Sequence, residues 1–127
     1  PALLILDEPT TGVDPVSRSD VWRLIAAAAS GGAAVVLTSA YLDEAERAGT
    51  VAVLQSGRCL FTGSPSEVRN SMPGSVVDVA RPAVRRRAWR RGRGWREWHP
   101  DGSPDAVRPG LEDVLIVAGL QAEGAGR

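Results

Sequence analysis

Leu3 to Leu6 is an unbroken run of four apolar residues that stops at two adjacent carboxylates, Asp7 and Glu8. A short run without polar alternation predicts a central strand of a parallel sheet, buried on both faces. Asp14-Pro15 predicts a helix start, with Asp14 as the cap and Pro15 at the first helical position. Val21, Trp22, Ile25 and the alanines to Ala29 supply that helix with an apolar stripe, and Gly31-Gly32 ends it. A second apolar run, Ala34 to Leu37, predicts the next strand, so the opening segment reads as strand, crossover helix, strand.

Ser39 is placed to cap a second helix in AYLDEAERA, residues 40–48, where Leu42, Ala45 and Ala48 share one side and Asp43 can pair with Arg47 one turn later. Val51 to Leu54 predicts a strand. QSGRCLFTG, residues 55–63, predicts a hairpin turning at Ser56-Gly57, and SPSEVRN, residues 64–70, a short helix capped by Ser64 and begun by Pro65. After residue 71 the pattern changes. Residues 72–80 hold one short strand, 81–96 are Arg-rich with Trp interleaved, and 99–110 form a Pro/Gly/Asp loop. LEDVLIVAGL, residues 111–120, predicts a last helix with Leu111, Val114, Leu115 and Ala118 on one face and Glu112 and Asp113 at its positive end.

Composition agrees with a soluble α/β protein: 43% hydrophobic and 24% charged over 127 residues, enough for one small domain or a piece of a larger one. A chain that opens on Pro1 and enters a strand as early as Leu3 favours the piece. No apolar run approaches the ~20 residues that cross a bilayer, and no signal-peptide pattern is visible. Cys59 is the single cysteine, so no internal disulfide forms, which fits the cytoplasm. The net charge of zero hides an asymmetry: residues 1–80 carry 5 Arg against 9 acids, residues 81–127 carry 10 Arg against 6. Every basic residue is Arg; the chain has no Lys.

An apolar strand ending in Asp-Glu suits nucleotide hydrolysis, because the strand fixes both carboxylates at the carboxyl edge of the sheet, where ligands bind in open α/β folds. The first can hold Mg²⁺ through water and the second can polarise an attacking water. On its own the pair reads equally as two solvated carboxylates. The surrounding motifs are more specific. LLILDEPTTGVDP, residues 3–15, resembles the Walker B strand and D-loop of ABC-transporter nucleotide-binding domains. AAVVLTSAYLDEAER, residues 33–47, resembles that family's switch-histidine strand and following helix. VAVLQSGRCLFTGSPSEVR, residues 51–69, resembles its next strand, hairpin and short helix, and GLEDVLI, residues 110–116, the Leu-Glu-Asp-Val-Phe tail of drug-exporter-like ATPase subunits.

The resemblance implies an α/β fold, the C-terminal part of a P-loop NTPase of ABC type, mostly parallel strands with helices plus a small irregular C-terminal extension. Residues 1–71 would be the Walker B, D-loop and switch part, and 72–127 an Arg-rich accessory region ending in a helix. It implies Asp7 as the Mg²⁺ carboxylate and Glu8 as the catalytic residue that polarises water. Gly12 and Asp14 would lie in the D-loop, which in this family crosses to the facing domain; Gly12 also reads as a turn residue and Asp14 as a helix cap. The implied cofactors are ATP and Mg²⁺. The implied partners are a second nucleotide-binding domain and a transmembrane permease, with no nucleic acid. The implied place is the cytoplasmic face of the membrane, and the implied role is multidrug-type export.

The chain also departs from the pattern. The switch histidine position holds Ala40, whose methyl group cannot donate a hydrogen bond; losing one such contact costs ~3–4 kcal/mol, or 10²–10³ in rate. Ala there resembles the first of two domains fused in tandem in exporter ATPases. His99, the only histidine, reads as a solvated loop residue. A P-loop needs G-x-x-x-x-G-K-[ST], which a chain without Lys cannot contain, and neither the glutamine loop nor the signature motif precedes the Walker B strand. Ser30 to Gly32 superficially matches the signature motif but reads as a helix stop. The chain alone is therefore not expected to bind ATP tightly or to be active.

RPAVRRRAWRRGRGWREW, residues 81–98, holds eight Arg and no acid within 81–96, with Trp89, Trp95 and Trp98 among them. It reads as an accessory region with Arg in solvent, or as a segment that grips nucleic acid or an anionic surface. An inactive truncated remnant is a third reading of the chain.

Overall fold

The computed structural model describes residues 2–125. In chain order the elements are β1 (Leu3–Leu6), α1 (Pro15–Ser30), β2 (Ala34–Leu37), α2 (Leu42–Ala45), β3 (Val51–Gln55), β4 (Arg58–Gly63), α3 (Pro65–Asn70), β5 (Ser75–Val79), β6 (Ala88–Arg91), β7 (Gly94–His99) and α4 (Leu111–Ala125). They form two compact units, with the boundary between Arg47 and Ala48.

In the first unit β1 and β2 pair in parallel, Leu3 opposite Ala34 through Leu6 opposite Leu37. The connecting α1 starts and stops where its local signals put it. Asp14 Oδ1 accepts from the backbone N–H groups of Val16 and Ser17 at 3.0 and 3.1 Å. At the other end the Gly31 N–H donates to Ala27 O, and Gly32, at φ 96°, turns the chain into β2. Burial on both sheet faces is not what the structure shows. Leu4, Leu6, Val35 and Leu37 are half-buried, whereas Leu3, Ile5 and Val36 are 53%, 69% and 55% exposed. Among the described residues this unit has one long helix, enough to cover one face of the pair.

The second predicted helix shrinks to the four residues of α2. Ser39 does not cap it. Its hydroxyl accepts from the Tyr41 N–H and donates to Glu44, and Tyr41 sits at the N-cap with no side-chain bond. Asp43 meets Arg18 at 3.4 Å rather than Arg47, whose guanidinium lies over the Trp22 ring.

The second unit begins with the β3–β4 hairpin, in which Ser56 and Gly57 both have positive φ, 52° and 75°, as a type I′ turn requires. α3 opens with a capping box between Ser64 and Glu67. The expected small irregular extension is instead a three-stranded antiparallel sheet, β5-β7-β6, followed by α4. Mostly parallel strands are not observed either. Among the described residues only β1 and β2 are parallel; β3–β4 and β6–β7 are antiparallel because the turns at Ser56-Gly57 and Gly92-Arg93 are too short for any other pairing, and β5 also pairs antiparallel with β7. His99 ends β7 rather than lying in the loop.

Val68, Val76, Val77, Leu111, Val114 and Val117 form the core of this unit. α4 thus buries Val117, not Leu115 or Ala118, as the third member of its inner face. Not all of the Arg run points to solvent. Arg96 is buried, donating to Asp113 Oδ2 at 2.6 Å and to Asp78 Oδ1 at 2.9 Å. No helix among the described residues is long and apolar enough to cross a membrane.

Candidate functional site

β1 delivers Asp7 and Glu8 to the carboxyl edge of the parallel pair, where β2 delivers Thr38. The Thr38 N–H donates to Leu6 O at 3.0 Å and so extends the ladder by one step. The Thr38 hydroxyl then joins the two carboxylate residues, donating to Asp7 Oδ1 at 2.6 Å and accepting from the Glu8 N–H at 2.8 Å. Both carboxylates are exposed. Thr38 fixes the Asp7 side chain through one oxygen and leaves Oδ2 for a ligand. Glu8 has φ 46°, a left-handed conformation that costs a non-glycine residue of order 1–3 kcal/mol and concentrates at functional sites.

Beyond Glu8 the chain turns twice, Thr11 N–H to Glu8 O and Val13 N–H to Thr10 O, both at 3.2 Å. Gly12 is the third residue of the second turn, with φ 76°, where a side chain would be strained, although an added Cβ would meet nothing. Asp14 then caps α1, and its pKa is lowered by hydrogen bonds from Ser17 foremost and from Val16. Ala40 is exposed two residues past Thr38.

A second carboxylate underlies these segments. Glu44, 1% exposed, accepts from Arg18 at 3.0 Å, from the Trp22 indole N–H at 3.2 Å and from the Ser39 hydroxyl, and the Thr10 hydroxyl also bonds to it. Burial pushes its pKa up, but the hydrogen bonds from Ser39, Thr10, Trp22 and Arg18 outweigh burial and hold it at about 2. One anion thereby ties the turn after Glu8, two positions on α1 and the residue before Ala40. The sequence reading missed Glu44, Thr10 and Thr38. The available signal was Arg18 and Trp22, two donors one turn apart on the same helix face.

The structure thus brings Asp7, Glu8 and Thr38 together, leads directly into Ala40, and places Gly12 and Asp14 on the turn and cap that follow. Among the described residues no three His, Cys, Asp or Glu side chains gather as a metal cage. Asp7 offers a single hard oxygen, which fits Mg²⁺ held through one carboxylate plus water and phosphate oxygens rather than by protein alone.

No protein-family model matches the chain. Individual proteins do. It is 42% identical over 80 residues to the Daunorubicin resistance ATP-binding protein DrrA2 of Streptomyces coeruleorubidus, covering 62% of this chain and 25% of that one. It is 45% identical over 78 residues to the Daunorubicin/doxorubicin resistance ATP-binding protein DrrA of Streptomyces peucetius, covering 61% and 24%. A third relative, the Probable multidrug ABC transporter ATP-binding protein YbhF of Escherichia coli (strain K12), is 38% identical over 82 residues, covering 65% and 14%. The chain is a homologue of ABC transporter ATP-binding proteins. It spans about a quarter of the length of the first two of these ATP-binding proteins.

Proposed function

We propose that the chain is the C-terminal part of an ABC-type nucleotide-binding domain of an exporter, residues 1–71 being its Walker B, D-loop and switch segments and 72–127 an accessory region. The observation that carries this reading is the Thr38 bridge, which locks Asp7 and Glu8 side by side at a parallel-strand edge. Asp7 Oδ2 would hold Mg²⁺ together with water and nucleotide phosphates, and the cation supplies charge neutralisation on those phosphates. Glu8 accepts a hydrogen bond from the water that attacks the terminal phosphate and so orients it. Gly12 and Asp14 form the turn and cap of the segment that faces a second nucleotide-binding domain. In this scheme ATP closes the two domains, hydrolysis lets them part, and a transmembrane permease on which they sit at the cytoplasmic face takes up the motion.

Ala40 removes a hydrogen-bond donor from the water-positioning group, so in a complete domain that also carries a P-loop this site binds ATP and turns it over slowly. The test joins the chain to an N-terminal half that carries a P-loop and signature motif, then measures ATP binding and turnover with and without Ala40→His. Turnover is expected to rise by roughly 10²–10³ in the variant. Intact binding with no gain in turnover contradicts the assignment of position 40.

A further inference from the structure

The β5-β7-β6 sheet holds more positive charge than its own acids can balance. Arg81, Arg85, Arg86, Arg90 and Arg93 are exposed, and among the described residues no carboxylate pairs with any of them. The acids of the sheet, and Asp113 at the start of α4, are already committed. Asp78 and Asp113 both receive Arg96, and Glu97, 3% exposed, accepts from the Val84 N–H at 2.8 Å. Five guanidinium groups within thirteen residues repel one another, and that repulsion falls when an external polyanion approaches.

The aromatic residues show which kind of polyanion fits. Proteins that hold single-stranded nucleic acid offer open ring faces for bases to stack on. Here the Trp95 ring is occupied by Arg85 and Arg90, at 5.4 and 5.3 Å from its centroid, and the Trp98 indole N–H is spent on Pro73 O at 2.8 Å. Trp89 and Trp98 are half-buried, and the groups most open to solvent are the guanidiniums, which bind phosphate oxygens in pairs. We propose that the Arg-bearing β6–β7 hairpin and the turn before it form a binding surface for the phosphate headgroups of an anionic lipid bilayer. The choice of a bilayer rests on the proposed attachment to a membrane permease; the uncompensated Arg cluster does not.

The experiment is co-sedimentation of the full chain with vesicles of phosphatidylcholine alone and of phosphatidylcholine mixed with phosphatidylglycerol, across a salt series. Binding is expected only to the mixed vesicles and is expected to weaken as salt rises. Arg86→Gln together with Arg93→Gln spares the two guanidinium groups stacked on Trp95 and removes two charges. At about fivefold per basic residue, partitioning is expected to fall by about 25-fold. Equal binding to both vesicle types overturns the proposal even if the variant misfolds, and so does an RNA duplex that displaces the chain from anionic vesicles at equal phosphate concentration. Neither outcome involves nucleotide or permease, so failure here leaves the ATPase test of the preceding section untouched.

Discussion

Replacing Glu44 tests whether one buried anion holds the segments around the carboxylate pair. In the folded chain its pKa is held at about 2, against an ordinary glutamate value of 4.5. That lowering corresponds to about 3 kcal/mol of preference for the folded state when the group is ionised. Because the folded pKa is the lower one, the stabilisation is complete above about pH 4.5 and is lost as pH falls through about 2. Glu44→Ala strips the acceptor from Arg18, Trp22, Ser39 and Thr10 at once and is expected to cost about 3–5 kcal/mol. Glu44→Gln keeps an acceptor for Arg18 and Trp22, which share Oε1, but turns its amide toward Ser39; a loss of about 1–2 kcal/mol is expected. Urea unfolding followed by circular dichroism gives these differences at neutral pH, and indole hydrogen exchange at Trp22 reports the site locally. Repeating the series toward pH 3 isolates the titration, since the wild type should lose stability faster than Glu44→Gln while all other acids are shared. An alanine variant within about 0.5 kcal/mol of wild type, or parallel pH curves for wild type and glutamine, would show that Glu44 does not hold these segments together.

Gly74 has φ +71°, and a Cβ there would collide with His99 O and the Pro100 backbone. Gly74→Ala should therefore lower stability by about 2 kcal/mol or more, whereas Gly92→Ala, at φ +59° with nothing nearby, should cost about 1 kcal/mol; thermal melts that rank them the other way contradict this. Asp113→Ala leaves buried Arg96 short of a counter-charge and should cost about 3–5 kcal/mol, with the joint change Arg96→Met and Asp113→Leu far milder. Urea midpoints in which the double variant is the weaker would show that the pair itself supplies the stability.

Features decided within a few residues were legible in the sequence. Asp14-Pro15, Gly31-Gly32, Ser56-Gly57 and the Ser64 cap all act on their immediate neighbours, and each element starts or stops where they stand. The strand-edge position of Asp7 and Glu8 followed in the same way from Leu3–Leu6. Features that depend on partners distant in the chain were not legible. Thr38 reaches Asp7 across 31 positions, and Glu44 meets Trp22 across 22. The shortening of α2 belongs here too, since the Ser39 hydroxyl accepts from the Tyr41 N–H before the helix and donates to Glu44, whose other partners lie on α1 and the turn after Glu8. Arg96 looked like its neighbours in an Arg run, and only its placement between Asp78 and Asp113 separates it from them. Burial of β1 and β2 failed as an expectation for a related reason, because apolar composition reports what a face suits, not what lies opposite.

If Asp7 and Glu8 form the metal- and water-handling end of an ATP site, ATP binding depends on both Mg²⁺ and Asp7. Titrating ATP, with and without Mg²⁺, into the chain joined to a P-loop-bearing half, for wild type and Asp7→Ala, measures both dependences. Mg²⁺-dependent binding in the wild type and its loss in the variant, with the fold intact by circular dichroism, is the predicted result. Binding that is equally tight with and without Mg²⁺, or unchanged by the loss of Asp7, would contradict it.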